Sequence, residues 1–436
     1  MRYYSLKNYK HRVTFEEAII HGLATDKGLY FPERIPLLSK NFLKFLSKKN
    51  IYDIAYQLIH PFIGDTIPDN IIYSIITETL RFPFPIQNID KNISALELYK
   101  GPTMAFKDIG AKFMAGCLGY FMCQKDRCIT VLVATSGDTG GAVANGCFKV
   151  DGIKVVILYP EKRVSELQEK QLTRLGDNII SLEIAGDFDD CQKLVKKAFL
   201  DSFLQINRKL TSANSINIAR WLPQMFYYCI AYRSIEKKEQ KEVIFSVPSG
   251  NFGNICAGMM VERMGLPISR FIAPTNINDT ITRFIDTTIY EPKKAKYTLS
   301  NAMDVADPSN FIRILALHSN KELLLKHMKA YRFTDEQTII TMQNVCKKRN
   351  YILDPHGAVS FMGLMNFLKE KRKNLIGLLF ETAHPIKFSD KIKESLKKDI
   401  SNPNNYYCNS SFKTDKNYYR LSTKYEEFRE FLLDTN

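Results

Sequence analysis

Short apolar runs rich in β-branched residues alternate with helical stretches through this chain, and that alternation constrains its fold more than any other feature. Ile129–Ala134 is followed by the loop Thr135-Ser136-Gly137-Asp138-Thr139-Gly140-Gly141 and a small-residue helix from Ala142 to about Lys149. Lys154–Tyr159 and Ile179–Ile184 read as the next strands, with helices over Ser165–Leu175 and Asp189–Asp201. Such largely apolar runs suit strands buried on both faces, as in a parallel sheet. The order restarts with the strand Glu242–Val247, the loop Pro248–Asn254, the helix Ile255–Met264 and the strand Arg270–Ala273, and Leu375–Phe380 reads as the last strand. Repeated strand–loop–helix order predicts an α/β fold with doubly wound parallel sheets.

The flanks read differently. Phe15–Leu23 predicts a short helix stopped by Gly22, Gly28–Pro32 a brief strand or turn, and Lys40–Lys49 and Asn70–Arg81 two further helices. Phe82-Pro83-Phe84-Pro85 punctuates the exit, since neither proline continues a helix. Residues 275–310 carry few regular signals and read as a mobile or inserted segment. The expected division is an N-terminal domain over 1–95, a core of two α/β subdomains over 96–390, and a C-terminal helical segment over 391–436.

A net charge of +15 raises the question of nucleic acid or an anionic ligand. Lysines are spread along the chain, and the stretches Lys369–Lys373 and Lys391–Lys398 adjoin apolar residues and read as solvated helix faces, so no nucleic-acid partner is expected. No apolar run reaches the roughly 18 residues that cross a membrane, and the N-terminus has no secretory h-region. The 9 cysteines include no Cys-x-x-Cys pair, so neither a zinc nor a thioredoxin-like site is expected, and reduced thiols in a cytoplasmic protein are.

Gly101-Pro102-Thr103-Met104-Ala105-Phe106-Lys107-Asp108 follows a strand-like run, Ala95–Tyr99, and opens a helix with apolar residues at Phe106, Ile109, Phe113, Met114, Cys117 and Phe121. Pro102 suits the approach, Thr103 is the expected cap, and Lys107 falls in the first turn. The positive end of the helix dipole disfavours an ammonium there, and a lysine with a depressed pKa is what Schiff-base chemistry needs. Taken alone, the segment reads rather as a solvated lysine at a helix start, since surface lysines are the default. Loops after strands, with backbone N–H groups at helix starts, suit phosphates and carboxylates. Arg220, beside Trp221, is either a phosphate ligand or a surface ion-pair residue.

Seven segments, in order, carry a resemblance: Phe15–Pro32, Gly101–Asp108, Thr135–Gly140, Ser212–Asn217 with Arg220, Ser249–Gly253, Ser300–Val305 and Thr382–Phe388. Together they span most of the chain and resemble the threonine synthase family of fold-type II pyridoxal-phosphate enzymes. The resemblance implies a tryptophan synthase β-like α/β fold, with two doubly wound parallel-sheet domains and a small N-terminal domain. It implies that Lys107 carries pyridoxal 5'-phosphate as a Schiff base and later moves protons. Gly250, Asn251, Phe252, Gly253 and Asn254 would cradle the cofactor phosphate, and Thr382 would meet the pyridine nitrogen. Ser136, Gly137, Asp138 and Thr139 would hold the substrate carboxylate, and Asn214, Ser215, Asn217 and Arg220 its phosphate. His384 is expected to be structural, His356 to act by packing or from behind the site, and Glu381 to matter only if it points at the ring. The implied reaction turns O-phospho-L-homoserine and water into L-threonine and phosphate, without a metal, in a monomer or homodimer. The rival is another fold-type II lyase, such as a threonine dehydratase or cysteine synthase, which needs no second phosphate site.

Overall fold

A computed structural model describes residues 1–125, 127–235, 242–318, 320–370, 375–396 and 417–434. Parts of the two basic stretches, 371–373 and 397–398, lie outside the described residues, as does much of the expected C-terminal segment.

Two largely parallel sheets form the core. The larger runs in the order Met328–Arg332, Arg270–Thr275, Glu242–Ser246, Leu375–Glu381, Ile93–Glu97 and Ile86–Asp90. Only Ile86–Asp90 is antiparallel to its neighbour. The smaller runs Tyr419–Leu421, Ile179–Ile184, Ile153–Pro160, Ile129–Ala134 and Leu210–Ser212, all parallel. The apolar runs behave as their composition requires. Val131, Leu132 and Val133, and Val155 to Tyr159, are buried on both sheet faces.

The weave of the chain decides where function can sit. After Ile93–Glu97 the chain leaves to build the smaller sheet, then returns to complete the larger one. Glu242–Ser246, Leu375–Glu381 and Ile93–Glu97 become parallel neighbours, although residue 93 and residue 381 are far apart in sequence. Their C-terminal ends present Pro248–Asn254, Thr382 and Gly101–Lys107 side by side, the edge on which open parallel sheets bind ligands.

The helix Lys107–Gln124 packs against the helices Asp138–Cys147, Ile218–Trp221 and Asp69–Thr79. Gly110 permits one of these contacts, because a Cβ there would lie 2.7 Å from the Arg220 carbonyl oxygen. The helix begins at Lys107 with Phe106 as its cap, so Thr103 is not the cap. Instead, the Thr103 hydroxyl donates to Asp108 Oδ1 at 2.5 Å and its N–H to Oδ2 at 3.0 Å, tying the approach loop to the first turn.

Other elements depart from expectation for identifiable reasons. Tyr3–Ser5 pairs antiparallel with both Asn8–Val13 and Tyr30–Pro32, a sheet too short to show periodicity. Helix Ile51–Ile63 contains Pro61, which signals a break, but burial of Ile54, Leu58, Ile59 and Phe62 outweighs one lost backbone bond. Residues 275–310 include the helix Thr280–Thr287 and a turn of 3₁₀ helix, Asn301–Met303. Polar side chains order this segment: Asn276 Nδ2 donates to Thr298 Oγ1 and to Asp304 Oδ1, each at 2.8 Å. Hydrophobic periodicity is blind to such a network. The described part of 391–436 is not purely helical, since Tyr419–Leu421 adds a strand beside Ile179–Ile184 before the helix Tyr425–Asp434. No helix among the described residues is long and apolar enough to cross a membrane.

Candidate active site

Lys107 is half-buried at the first position of its helix. Protein crowds its amine, and this desolvation pushes the pKa down to about 8. Asp138 opposes the shift, while Lys387 and Arg220 add to it. The ammonium lies 5.7 Å from the centroid of the Phe106 ring and forms no ion pair among the described residues. Asp108 is drawn away to Thr103, and burial holds its carboxyl up at about 6. A solvated surface lysine is therefore not what the fold makes of this position.

The strand Leu375–Glu381 delivers Thr382 directly beside it. The Phe106 N–H donates to the Thr382 carbonyl at 2.9 Å, and His384 N–H donates to the Met104 carbonyl at 3.0 Å. Thr382 is buried, and its hydroxyl has no hydrogen-bond partner among the described residues. Glu381 lies on the other side of the strand, because successive side chains alternate. It stands against Gly357, where an added Cβ would meet its carboxylate, and burial, Asp354 and Glu97 all push its pKa up. His384 accepts from the Ile386 N–H at 3.0 Å and meets the Tyr99 ring edge-on, as a structural residue would. His356 Nδ1 lies 2.5 Å from Asp354 Oδ2, and Nε2 accepts from the Ala302 N–H at 3.3 Å. That pair braces the 300–304 segment from behind.

The loop after Ile129–Ala134 is held open by Thr135, whose hydroxyl accepts from the N–H groups of Gly137 at 2.9 Å and Gly140 at 2.8 Å. Ser136 and Thr139 are half-buried. The amides of Asp138 and Thr139 begin the helix Asp138–Cys147, where no intrahelical acceptor exists. The Asp138 carboxylate accepts from Gln168 Nε2 at 2.9 Å and pairs with Lys387 Nζ at 2.7 Å. Burial alone would raise its pKa, but the charges of Lys387 and Lys107 hold it well below the usual carboxylate range. Beside Lys387 opens a cavity of about 630 Å³ whose lining includes Lys162, Arg163, Gln168, Asn301 and Lys391.

The loop after Glu242–Ser246 forms a cradle of backbone. Phe252 takes the left-handed conformation at φ 58° and starts the helix Gly253–Arg263. At Gly250 a Cβ would lie 2.7 Å from Met303 Cα and 2.9 Å from the Ala302 carbonyl oxygen, so only glycine fits. Asn251 organises the loop: its Oδ1 accepts from the Ser309 N–H at 2.7 Å and its Nδ2 donates to Ser215 Oγ at 3.2 Å. Asn254 Oδ1 accepts from the Tyr228 hydroxyl at 2.9 Å, while its Nδ2 is buried without a partner. Cradled backbone, a helix start and an idle donor suit a phosphate. We expect Gly250→Ala to weaken cofactor binding at least about tenfold, the effect of roughly 1.4 kcal/mol. Spectroscopic titration with pyridoxal phosphate measures it, and unchanged affinity would remove this loop from the site.

The expected substrate-phosphate residues divide. Asn214 and Ser215 are half-buried, and Ser215 Oγ accepts from Asn251 and from Asn310 Nδ2, the latter at 3.1 Å, so it borders the cradle. Asn217 has nothing to offer a phosphate. Its Nδ2 donates to the Ile19 and Ser212 carbonyls at 2.9 and 3.1 Å, and its Oδ1 caps the helix Ile218–Trp221. With both N–H groups committed, its work is structural. Arg220 is 3% exposed, which excludes a surface ion pair. It donates through Nη1 to the Ala213 carbonyl, and its Nε is buried without a partner. Burial lowers its pKa to about 10.

Lys387, Gln168, Asn310 and Arg313 also belong to this neighbourhood and were not singled out from the sequence. The signal for Lys387 was a lone lysine flanked by Ile386 and Phe388. Arg313 is fully buried and binds the carbonyls of Tyr30, Ser215 and Ile216, together with Asn310 Oδ1. Those contacts bind the N-terminal segment to the cradle. Among the described residues no His, Cys, Asp and Glu side chains gather to hold a metal ion.

Known proteins match this chain along its full length. A family profile described as pyridoxal-phosphate dependent enzyme matches residues 76–378, and one described as threonine synthase N terminus matches residues 2–80. The chain is 41% identical over 437 residues to a threonine synthase of Buchnera aphidicola subsp. Baizongia pistaciae, covering 100% of both chains. It superimposes on the crystal structure of threonine synthase from Escherichia coli with a TM-score of 0.92 and 38% identity, covering 100% of both. On the pyridoxal-phosphate-bound threonine synthase from Brucella melitensis the TM-score is 0.91, with 32% identity over 99% of this chain and 98% of that one. The lowered lysine and the cradle thus sit in a fold shared with these enzymes from end to end, and the chain belongs to the threonine synthase family of pyridoxal-phosphate-dependent lyases.

Proposed function

We propose that the chain converts O-phospho-L-homoserine and water to L-threonine and inorganic phosphate. Pyridoxal phosphate, when bound, supplies the electron sink that lets carbon–hydrogen bonds beside a carboxylate ionise. Lys107 holds it and then takes and returns protons at the substrate's α and β carbons. Gly250 to Asn254 receive the cofactor phosphate, and the Thr382 hydroxyl meets its ring nitrogen. The amides at Asp138 and Thr139, with Ser136 and Gly137, receive the substrate carboxylate. Arg220, with Asn214 and Ser215, orients the substrate phosphate for departure.

One observation carries the reading: Arg220 is a buried guanidinium beside the lysine, and its Nε has no partner among the described residues. A buried cation in no ion pair among the described residues suits a ligand that brings its own anion. A dehydratase or cysteine synthase has no second phosphate to offer it. The charge balance supports this, since Lys107, Arg220 and Lys387 outnumber Asp138 and the raised Asp108. A monomer or homodimer remains our reading of the assembly. The eight described cysteines are unpaired, which supports a cytoplasmic setting. The division into 1–95, 96–390 and 391–436 remains our reading of the domains.

The test is release of phosphate from O-phospho-L-homoserine with threonine identified as the product. Wild type at saturating cofactor should yield both in equal amounts, and phosphate without threonine would sink the assignment.

A further inference from the structure

Lys387 is a buried ammonium for which the reaction above has no task. Its side chain is fully buried, and Nζ donates to Asp138 Oδ1 at 2.7 Å and to the Thr103 carbonyl oxygen at 2.8 Å. Gln168 Nε2 reaches the same Asp138 oxygen at 2.9 Å. A buried lysine is costly unless it is paired and hydrogen-bonded. Here its partners are one carboxylate and the loop that leads to Lys107. Asp138 is therefore bracketed by two cations, and among the described residues it makes a close ion pair with Lys387 alone. Charges interact strongly in such a low-dielectric setting, so an anion already paired is a weak partner for the second cation.

We propose that Lys387 is a positioning residue: it ties the Asp138 carboxylate to the Thr103 side of the cleft and so leaves the Lys107 amine without an anion to pair with. The inference rests on the reading of Lys107 as the cofactor-bearing lysine. The other charged groups around Lys107 do not replace it. Arg220, from the helix Ile218–Trp221, acts on Lys107 in the same sense, and Asp108, on its own helix, is engaged by Thr103. Without Lys387, Asp138 would turn to the remaining cation and hold Lys107 protonated. The free amine that condenses with an aldehyde would then be scarce at neutral pH.

The test uses full-length protein stripped of cofactor and mixed with pyridoxal phosphate, following the visible band of the protein-bound cofactor from pH 6 to 10. Wild type should react with a midpoint near 8. In Lys387→Met the midpoint should rise by about one pH unit, a roughly tenfold smaller share of free amine at neutral pH. Lys387→Arg should stay near wild type. Asp138→Asn should lower the midpoint, and the double variant should return to within about half a unit of wild type. A folded Lys387→Met protein with an unmoved midpoint overturns the inference. If that variant does not fold, Asp138→Asn decides, and an unmoved midpoint there overturns it equally. Wild type that forms no band at any pH overturns the Lys107 reading itself, and this inference with it.

Discussion

Replacing Lys107 with alanine is expected to lower kcat by at least about 10³-fold and to abolish the visible band of the bound cofactor. Two losses combine. The covalent hold on the cofactor disappears, and so does the group that moves protons. The fold should survive, because the residue makes no ion pair among the described residues and shares its surroundings with Arg220 and Lys387, so the change relieves like charge. Circular dichroism and thermal melting should match wild type. The sign of the pH dependence follows from burial. The amine's pKa is depressed to about 8, so its reactive, uncharged form grows as pH rises through that value. Condensation of wild type with pyridoxal phosphate should be roughly 25-fold faster at pH 8.5 than at 6.5. A Lys107→Ala protein that keeps both band and turnover would exclude this lysine as the cofactor's anchor.

Much of this site was legible in the sequence because its parts depend on local signals. A β-branched run followed by Gly, Ser and Thr marks a strand end at Ala134 and at Ser246, and the structure has strands ending at both. The helix start at Lys107 was legible for the same reason, since Pro102 and the apolar residues from Ile109 onward mark it, whereas the role expected of the lysine came from the resemblance. What stayed hidden was pairing across the weave. Nothing near residue 93 says that Ile93–Glu97 lies against Leu375–Glu381, yet that contact sets Thr382 beside Phe106. Asn217 misleads for a related reason. Its segment has the composition of a phosphate loop, but Ile19, two hundred residues upstream, takes one of its N–H bonds. Lys387 was unreadable because a buried lysine is recognised only by its distant partner, Asp138.

The second large effect is expected at Arg220, and comparison with Arg313 shows why. Both guanidiniums are buried, and burial lowers both pKa values to about 10. Arg313 spends its donors on the Tyr30, Ser215 and Ile216 carbonyls and on Asn310, and it stacks 4.4 Å from the Trp221 ring centroid. Its removal would strand several carbonyls and cost stability. Arg220 reaches one carbonyl, Ala213, and leaves Nε idle. In the free protein it is a desolvated cation with little return, so Arg220→Met should leave stability unchanged or raise it by about 1 kcal/mol. Its effect on turnover should run the other way. Hydrogen bonds to a charged group contribute about 1.5–3 kcal/mol each, so losing a two-pronged contact to the substrate phosphate should lower kcat/KM about 10²–10⁴-fold. Cofactor binding, which uses the Gly250 loop, should be unaffected. Urea unfolding, cofactor titration and steady-state kinetics on the same variant separate these effects. A variant that loses stability and cofactor affinity together would identify Arg220 as a second Arg313, a residue that holds the fold rather than the substrate.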